Sequence, residues 1–340
     1  MNLNTKTKIF FLIILSFGIF GLAESSWAGD THTATSCSAA AIQAAHTAAS
    51  DGDIITIPYG TCTWASEDTV SITKAVSIIG AGTTSGTSLT KIIHDSLTNT
   101  FTISPGSDKA VRVSGIYFDK VTSNQTLGGY RRAIVVYGAG NGSYCLTKLR
   151  IDHNYFNKGV GTVWVSGWSY GLIDNNTFVN GNAPVRLNGD NSLAWTRPFE
   201  AGTINSFFVE NNTFIMNDSY GAGLQNNEMI YPFTAFKLVV RYNTYNATAL
   251  TIADTPSLVT GHPNWGATLY QYRAEPLSEI YNNTISYHHS YMLMFSSRGG
   301  SYLVHDNNIS YTNLGYAYIL DITEEEGWTS GGLFCPSCPV

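Results

Sequence analysis

Three carboxylates recur at one position of a short repeated segment: Asp152, Asp174 and Glu210, each two residues before an asparagine. If the repeats lie on neighbouring strands, about 4.8 Å apart, these carboxylates repel one another unless positive charge intervenes. Arg241 has the same position in the next repeat and can pair with Glu210. Asp152 and Asp174 would remain for a hard cation such as Ca²⁺, which prefers carboxylate oxygens. We therefore predict Asp152, Asp174 and Glu210 as a candidate metal site, with simple solvation of these acids as the alternative.

Two longer stretches between repeats are rich in aromatic and arginine side chains. One lies between Phe178 and Phe208, where Arg186 and Glu200 also occur, and the other lies between Tyr245 and Ile280. A sugar chain needs flat apolar faces to stack on and fixed hydrogen bonds to orient it. We expect both stretches to leave the same side of the repeats and to wall one polysaccharide-binding groove, although any single ring could pack on the repeats instead. The predicted binding residues are Trp195, Arg197, Trp265, Tyr270, Tyr272, Arg131 and Arg132.

A third set of residues could act on an acidic glycan. A lyase needs a base at the carbon next to the carboxylate and a positive group that neutralises the carboxylate. The candidates are His262, Arg273 and Arg298, for each of which a local structural contact is the alternative. A hydrolase instead needs two carboxyl groups about 6.5–9.5 Å apart. Asp152 and Glu210, two repeats apart, would lie about 9.6 Å apart at the usual strand spacing.

The repeated segment predicts how these residues are positioned. It runs aliphatic, polar, variable, Asn, Thr or similar, and then large apolar. Its two apolar positions are five residues apart, so both can point inward only if the chain bends between them. We place the Asn at that bend, because Asn tolerates left-handed backbone angles and can pass hydrogen bonds along a stacked ladder. The copies are Ile151–Phe156, Ile173–Phe178, Val209–Phe214, Val240–Tyr245, Ile280–Ile285 and Val304–Ile309, with a degenerate copy at Val113–Phe118.

The spacing of the repeats predicts the architecture. Successive ladder asparagines are separated by 22, 36, 31, 40 and 24 residues. The short gaps hold three short strands with their turns, which is one coil of a parallel β-helix, and the long gaps add a loop. Units that cannot bury their own apolar face stack into a solenoid. A barrel or a sandwich is the alternative, but neither requires Asn at one fixed place. Before the repeats we predict a capping helix at Ser38–Ser50 and strands at Ile54–Ile57, Val70–Ile72 and Val76–Ile79.

The N-terminus has the pattern of a secretory signal peptide over residues 1–28. Two lysines precede the apolar run Ile9–Ala23, and Ser26, Trp27 and Ala28 form a small-x-small cleavage site. A membrane anchor is the alternative, but it needs about 20 apolar residues. We therefore predict export, extracellular or periplasmic, with cleavage near Ala28 and no membrane insertion afterwards. Residues 29–340 form one predicted domain.

The cysteines fit an exported protein. Cys37 and Cys62 flank the first helix and strand, and we predict a disulfide between them. Cys335 and Cys338 could form a metal knuckle, but no second Cys or His pair follows them. A local or intermolecular disulfide is therefore favoured for these two cysteines, and Cys145 is left over. The sequence stops two residues after Cys338 without an element that would cover the open end of a solenoid, so we expect the domain to continue beyond Val340.

Composition excludes one class of partner. Charged residues make up 12% of the chain and the net charge is −6, whereas ordinary domains carry about 25% charged residues. A nucleic-acid-binding protein would show a basic patch, so we predict no nucleic-acid partner.

The motif order resembles the pectin lyase-like superfamily of right-handed parallel β-helix proteins. A predicted helix is followed by Gly52–Trp64 (GDIITIPYGTCTW), by Ala75–Gly82 (AVSIIGAG) and by the IDHNYF-type coils. The resemblance covers essentially the whole chain after residue 28. It implies an all-β fold: a right-handed single-stranded parallel β-helix with an N-terminal capping helix and an Asn ladder. The superfamily contains lyases, glycoside hydrolases, esterases, adhesins and tailspikes. The resemblance is therefore specific for the fold and weak for the activity.

Two local motifs resemble pectate lyases within that superfamily. Leu149–His153 is similar to their W-x-D-H strand, whose Asp helps to bind calcium, and this implies Asp152. Arg298 with the following glycines is similar to the end of their R-x-P-x-x-R-x-G strand, whose second Arg helps to hold the substrate. The position of the first Arg, their base, is Leu293 here, and the D-G-x-x-D run is absent. We therefore expect an exported polysaccharide-binding β-helix protein that acts as a lyase on an acidic glycan, with a non-catalytic adhesin-type solenoid or a glycoside hydrolase as alternatives.

Overall fold

The computed structural model describes residues 29–83, 88–120, 132–138, 144–189, 198, 200–217, 228–233, 236–247, 257–261, 277–288, 291–297, 301–312 and 316–322. The one helix among these residues, α1, spans Ala39–Ala48. The strands in chain order are β1 Thr31–Thr33, β2 Ile54–Ile57, β3 Gly60–Thr63, β4 Val70–Ile72, β5 Ser77–Gly80, β6 Thr90–Ile93, β7 Phe101–Ile103, β8 Val111–Ser114, β9 Tyr117–Asp119, β10 Ile134–Tyr137, β11 Leu146–Asp152, β12 Tyr155–Asn157, β13 Val163–Ser166 and β14 Ser169–Asp174. They continue as β15 Thr177–Val179, β16 Val185–Asn188, β17 Phe207–Glu210, β18 Thr213–Met216, β19 Glu228–Phe233, β20 Lys237–Arg241, β21 Thr244–Ala247, β22 Ser257–Gly261, β23 Leu277–Tyr281, β24 Thr284–His288, β25 Tyr291–Ser297, β26 Tyr302–His305, β27 Asn308–Thr312 and β28 Tyr316–Ile322.

These strands form three parallel sheets, and from β2 onward the chain visits the sheets in strict rotation. Sheet A contains β1, β2, β5 and every third strand after it to β26; sheet B runs from β3 to β27, and sheet C from β4 to β28. One turn of the rotation is one coil, and each coil pairs in parallel with the coils before and after it. Because parallel crossovers are right-handed, the fold is a right-handed parallel β-helix, as the sequence predicts.

The interior is filled by files of like residues, because matching positions of successive coils are register partners. Four phenylalanines from sheet B stack with ring centroids 5.2, 4.8 and 5.0 Å apart and interplanar angles of 10° or less. That separation follows from the strand spacing of about 4.8 Å and provides stacking energy in addition to burial. The stacked rings are Phe118, Phe156, Phe178 and Phe214, and the aliphatic file of sheet A is Ile55, Ile78, Val113, Ile151, Ile173, Val209, Val240 and Ile280, all fully buried.

The asparagine ladder lies inside the corner between sheets A and B. Each side-chain amide donates to the carboxamide oxygen of the next coil at 2.9–3.1 Å. The same oxygen accepts from the backbone N–H of the preceding ladder residue at 2.9–3.0 Å. The ladder therefore satisfies buried backbone groups that no strand partner reaches. Its members are Asn154, Asn176, Asn212, Asn243, Asn283 and Asn307.

The left-handed residue of this corner is not the ladder asparagine, as the sequence suggested, but the residue before it. The φ angles at these six positions are 53–58°, and the ladder asparagines do not adopt positive φ. The inward-pointing amide needs the extended backbone, so the preceding residue makes the turn. Asn is still the commonest residue there, in keeping with its tolerance of this conformation. The six turn residues are His153, Asn175, Asn211, Tyr242, Asn282 and Asp306.

In the degenerate first copy, glycine makes this turn. Gly115 has φ 71°, and Ile116 replaces the ladder Asn, so its backbone N–H ends the ladder by donating to Asn154 Oδ1 at 3.1 Å. A Cβ atom at Gly80, one coil earlier, would lie 2.3 Å from the Gly115 carbonyl oxygen. Gly80 and Gly115 therefore let two coils approach closely at this point.

The helix α1 covers the N-terminal end of the solenoid. Ser38 caps it by accepting from the backbone N–H of Ala41 at 3.3 Å, and Ile42 is fully buried. Lys74 closes the other end, because its Nζ donates to three carbonyl oxygens at or just beyond the last turn at 2.6–2.9 Å, where a cation also suits the helix dipole. The predicted Cys37–Cys62 disulfide is present. The predicted capping helix and its covalent link to the first coil are therefore confirmed.

The signal peptide over residues 1–28 and the pair Cys335 and Cys338 lie outside the described residues and stay predictions. Within the described part of the chain, no helix is long and apolar enough to cross a membrane.

Replacing Asn212 by Leu should lower the free energy of unfolding by about 1–3 kcal/mol, because buried partners in two adjacent coils lose a hydrogen bond. The matched control is Thr213→Leu, which changes a half-buried side chain that points outward and should cost far less. Urea unfolding of both variants measures the difference. Equal losses would contradict the inside–outside register of this corner.

Candidate functional site

The insertions border sheet C on both of its edges, whereas the sequence predicts that they leave the same side of the repeats. The sheet A to sheet B corner is tight: β17 ends at Glu210 and β18 begins at Thr213. The long connections instead precede sheet C, as at 217–227, or follow it, as at 189–206 and 262–276. The ladder explains the difference, because a loop inserted at its corner would break the chain of amides. Insertions therefore leave both edges of sheet C, which makes the outer face of this sheet the candidate site.

The outer face of sheet C carries a file of alternating guanidinium and aromatic groups. Trp164, Arg186 and Tyr231 are register partners on three successive strands. The Arg132 guanidinium carbon lies 3.5 Å from the centroid of the Trp164 ring. Arg186 lies 4.7 Å from the same ring and 5.0 Å from the ring of Tyr231. We call these four residues the arginine–tryptophan file.

Three of the four residues of the file are held in place but still accessible, whereas Tyr231 is 3% exposed. Arg132, Trp164 and Arg186 are half-buried, and the cation–π contacts between them fix their side chains. A neighbouring outward column contains Tyr137, which is 43% exposed, in register with Ser166 and then Asn188. Aromatic faces thus lie beside guanidinium, hydroxyl and amide groups along several coils. Such a face can bind an extended polar chain through ring stacking and directional hydrogen bonds.

Of the predicted binding residues, Arg132 is the one in the described part of the chain, and it belongs to this file. Trp164 was not predicted. The signal that could have found it is the alternation of valine with tryptophan and serine in Val163–Ser166. In the structure the two valines are buried and Trp164 is half-buried, which puts the tryptophan on the outer face of the sheet that the insertions border. The predicted residues that lie outside the described residues are Arg131, Trp195, Arg197, His262, Trp265, Tyr270, Tyr272, Arg273 and Arg298.

The end of the insertion that carries Trp195 and Arg197 is anchored on sheet A. Lys237 donates to Glu200 Oε2 at 2.7 Å and to the Pro198 carbonyl oxygen at 3.1 Å. The backbone N–H of Gly202 donates to Glu279 Oε1 at 2.8 Å. Lys237 and Glu279 are themselves 7% and 5% exposed. Removing a partner from a buried charge is costly, so these contacts hold Pro198, Glu200 and Gly202 against sheet A.

The three predicted metal ligands lie on the outer side of sheet A as register partners of one another. The predicted pairing of Arg241 with Glu210 is confirmed, with Arg241 Nε 2.6 Å from Glu210 Oε2. Asp152 and Asp174 were expected to lack a positive partner, and that expectation is wrong. The reason is a diagonal pairing that the sequence alone does not reveal.

In this diagonal pairing, an arginine of one coil reaches the aspartate of the next. Arg112 makes a bidentate contact with Asp152 at 2.7 and 2.5 Å, and Arg150 makes the same contact with Asp174 at 3.0 and 2.8 Å. The arginine stands two positions before the acid column, on the same outer face of the sheet. The Asp152 side chain has no exposed surface, because Arg112 and His153 cover it.

The bonds to Asp152 determine its ionisation. Burial alone would raise the pKa of this carboxyl, but the hydrogen bonds from Arg112 and His153, together with the positive charges of Arg112 and Arg150, outweigh burial and hold the pKa below its ordinary value. Among the described residues, no group of three or more His, Cys, Asp or Glu side chains could hold a metal ion. As arranged, these carboxylates do not fit a calcium site, because arginine nitrogens already neutralise them; calcium binding by Asp152, Asp174 and Glu210 stays an untested prediction.

The burial of Asp152 also bears on the hydrolase alternative. A general acid or base must come within hydrogen-bond reach of the substrate, and a carboxylate without exposed surface cannot do so in this conformation. Asp152 and Glu210 therefore do not present two carboxyl groups to one substrate.

Together, the fold and this face define a right-handed parallel β-helix protein with an arginine- and aromatic-lined sheet C. No family model and no curated protein sequence matches the chain. Among solved structures, an alginate lyase from Paenibacillus sp. str. FPU-7 is similar at 13% identity and TM-score 0.31, over 82% of this chain and 99% of that chain. The catalytic domain of a GH87 α-1,3-glucanase in complex with nigerose is similar at 11% identity and TM-score 0.30, over 88% of this chain and 68% of that chain. At such values, the function of this chain has to be inferred from its own residues.

Replacing Asp152 by Asn should destabilise the fold at neutral pH, and this loss should shrink as the pH falls. A carboxyl with a lowered folded-state pKa contributes its stability above its unfolded-state pKa of about 3.9 and loses it as the pH falls through the folded-state value. Urea unfolding of both proteins between pH 7 and the acid limit of the fold measures the gap. Asp306→Asn is the control, because its side chain is 73% exposed; a gap for Asp152→Asn that does not change with pH would contradict the ionised Arg112–Asp152 pair.

Proposed function

We propose that this protein is an exported, carbohydrate-active β-helix protein that binds an acidic polysaccharide along the outer face of sheet C and cleaves it as a lyase. The observation that carries this proposal is the arginine–tryptophan file. An indole held between two guanidinium groups suits a uronate unit, because the uronate carboxylate takes charge-assisted hydrogen bonds from arginine and Tyr137 of the neighbouring column offers an exposed ring on which the sugar can stack.

The charge distribution of the chain supports an anionic ligand at this face. The whole protein carries a net charge of −6, so an anion is not attracted to its surface in general. Arg112, Arg150 and Arg241 are each bound to a carboxylate on sheet A. Arg132 and Arg186 lie instead against the Trp164 ring on sheet C, so a ligand at this face meets guanidinium groups beside an aromatic ring. Two guanidinium groups that contact one indole ring favour an anionic ligand at this face.

Export is the second part of the proposal. The signal-peptide pattern of residues 1–28 agrees with the Cys37–Cys62 disulfide, since disulfides persist mainly in oxidising compartments. An extracellular or periplasmic location would also give the protein access to a polymer that does not enter the cell.

The proposed catalytic groups are His262, Arg273 and Arg298. The strand residues directly before two of them, Gly261 and Ser297, are register partners on β22 and β25. His262 and Arg298 are the next residues along the chain after this register pair. We propose that they act together with the proposed binding residues Trp265, Tyr270, Tyr272, Arg131, Trp195 and Arg197.

In the proposed reaction, Arg298 and Arg273 hold the uronate carboxylate and His262 acts as the base. The base takes the proton from the carbon next to the carboxylate. The electron pair of that C–H bond forms a carbon–carbon double bond, and the glycosidic C–O bond breaks with its electrons leaving on oxygen, which takes up a proton. Neutralising the carboxylate stabilises the charge that develops at the adjacent carbon. No step requires a metal ion.

Incubating the secreted protein with a panel of acidic and neutral polysaccharides, with and without Ca²⁺, tests the activity. A lyase gives products with the ultraviolet absorbance of the new double bond, whereas a hydrolase gives reducing ends without it. Binding without any product would establish the non-catalytic, adhesin-type alternative in place of the lyase. A requirement for Ca²⁺ would revive the calcium prediction.

Trp164→Ala should weaken binding of the acidic polymer at least about tenfold, or about 1.4 kcal/mol, because it removes the ring on which both arginines stack. Affinity electrophoresis in gels that contain the polymer measures this change. The control is Tyr59→Ala, which removes a tyrosine that is 64% exposed in the first coil. Equal binding by both variants would exclude the sheet C face as the binding site.

Arg298→Ala should abolish cleavage while changing the free energy of unfolding by less than about 0.5 kcal/mol, as for an exposed side chain outside the core. Arg298→Lys should also be inactive if the contact with the carboxylate is bidentate, since an ammonium group cannot reproduce the fork of a guanidinium. Steady-state rates and urea unfolding of both variants check this. Activity lost only in proportion to stability would show that Arg298 is structural.

A further inference from the structure

The outer face of sheet A changes its chemistry along the solenoid. Its earlier coils carry the Arg112–Asp152 and Arg150–Asp174 ion pairs, whereas its later coils carry aromatic rings. We call the later group the tyrosine cluster; it consists of Phe208, Arg241, Tyr242, Tyr281 and His305. It lies on sheet A and is separate from the arginine–tryptophan file of sheet C.

Tyr242 is the unusual member of this cluster. It makes the left-handed turn before a ladder asparagine, with φ 58°. The other turn residues are small or able to make local hydrogen bonds: Asn three times, Asp once and His once. A bulky residue is disfavoured in this conformation, and Tyr242 does not regain that cost by burial, because it is 50% exposed. Neither the backbone nor the core accounts for a tyrosine here, and strained residues of this kind concentrate at functional sites.

The neighbours of Tyr242 hold an exposed aromatic surface in place. Its ring meets the ring of Tyr281 edge to face, with centroids 6.3 Å apart at 79°. Tyr281 stacks on His305 at 4.9 Å and 4°. Arg241 donates from Nη1 to the Tyr281 hydroxyl at 2.9 Å and lies 5.6 Å from the centroid of Tyr242. Side chains that are ordered before binding lose less entropy when a ligand arrives.

Polar groups surround these rings. Arg241 and Glu210, joined at 2.6 Å, have side chains that are 30% and 17% exposed. On the next coils, the side chains of His305 and Asp306 are 43% and 73% exposed. A pyranose ring can use both kinds of group. Its apolar C–H faces stack on fixed aromatic rings, and its hydroxyl groups form hydrogen bonds with the carboxylate oxygens and the guanidinium group at the edge of the cluster.

The geometry points to a second, non-catalytic carbohydrate-binding site at the tyrosine cluster, which takes a pyranose ring of a polysaccharide chain. This site rests on the proposed function only in that its ligand is a glycan; it uses none of the groups proposed for cleavage. The site lies on a different sheet from the sheet C face, so one polymer has to be long to contact both. A polymer that does so gains avidity. A short oligosaccharide bound on sheet C does not.

The decisive variant is Tyr242→Asn. Asn is the residue that the chain uses at three equivalent turns, so this change keeps or improves the backbone while it removes the ring. We expect an unchanged or higher Tm, together with at least about tenfold weaker retention in affinity gels that contain polygalacturonate, alginate or a neutral glucan. Tyr59→Ala, which removes another exposed tyrosine, should retain wild-type binding.

A second measurement separates this site from the proposed function. Cleavage of short soluble oligosaccharides should be unchanged in Tyr242→Asn, whereas Trp164→Ala should impair it. Wild-type retention of Tyr242→Asn on every polymer that the wild-type protein binds would overturn the tyrosine-cluster site and leave the sheet C proposal intact. Absence of wild-type binding to all three polymers would overturn both. Loss of binding on acidic polymers alone would support the site and identify its ligand as a uronate unit.

Discussion

The hydrogen-bonded ladder of buried asparagine side chains is the constraint on which the arrangement of this protein depends. Each ladder amide serves the coil on either side of it, so the corner between sheets A and B has the same two-residue form in every coil from Asn154 onward. A loop inserted there would leave buried backbone groups without partners, which is costly. Insertions are therefore confined to the other two corners, and these border sheet C. The ladder thus determines which face of the solenoid can vary and bind.

The outward positions of the sheets serve different purposes, although the interior is similar in every coil. On sheet A, arginines and acids neutralise one another across coils, which allows Asp152 to be fully buried. On sheet C, Arg132 and Arg186 lie against Trp164 and are half-buried rather than fully covered. A chain with only 12% charged residues thereby places two guanidinium groups beside one aromatic ring on this sheet. The proposed function depends on this difference between the ion pairs of sheet A and the arginine–aromatic contacts of sheet C.

Most of the fold was predictable, because the information is local and repeated. The apolar positions of IDHNYF-type segments, the Ala-rich helix and the Cys37–Cys62 pair each follow from spacing and residue type. The errors arose where one coil had to be placed on another. The turn residue was assigned one position too late, since both Asn175 and Asn176 suit a turn and only the stacked ladder distinguishes them. The diagonal Arg150–Asp174 contact likewise requires the strand register.

The sequence by itself determined the class of fold, because a repeated bend with apolar residues on both sides can bury its core only by stacking. It also determined the chemistry that is present, namely arginine and aromatic side chains in excess at the insertions. Only the tertiary structure decided which of these groups meet. Stacking brings residues 20 to 40 positions apart into register, and a shift of one residue would exchange the inner and outer faces of a strand. That register places Arg132 on Trp164, buries Asp152 beneath Arg112 and exposes Tyr242 at a strained turn.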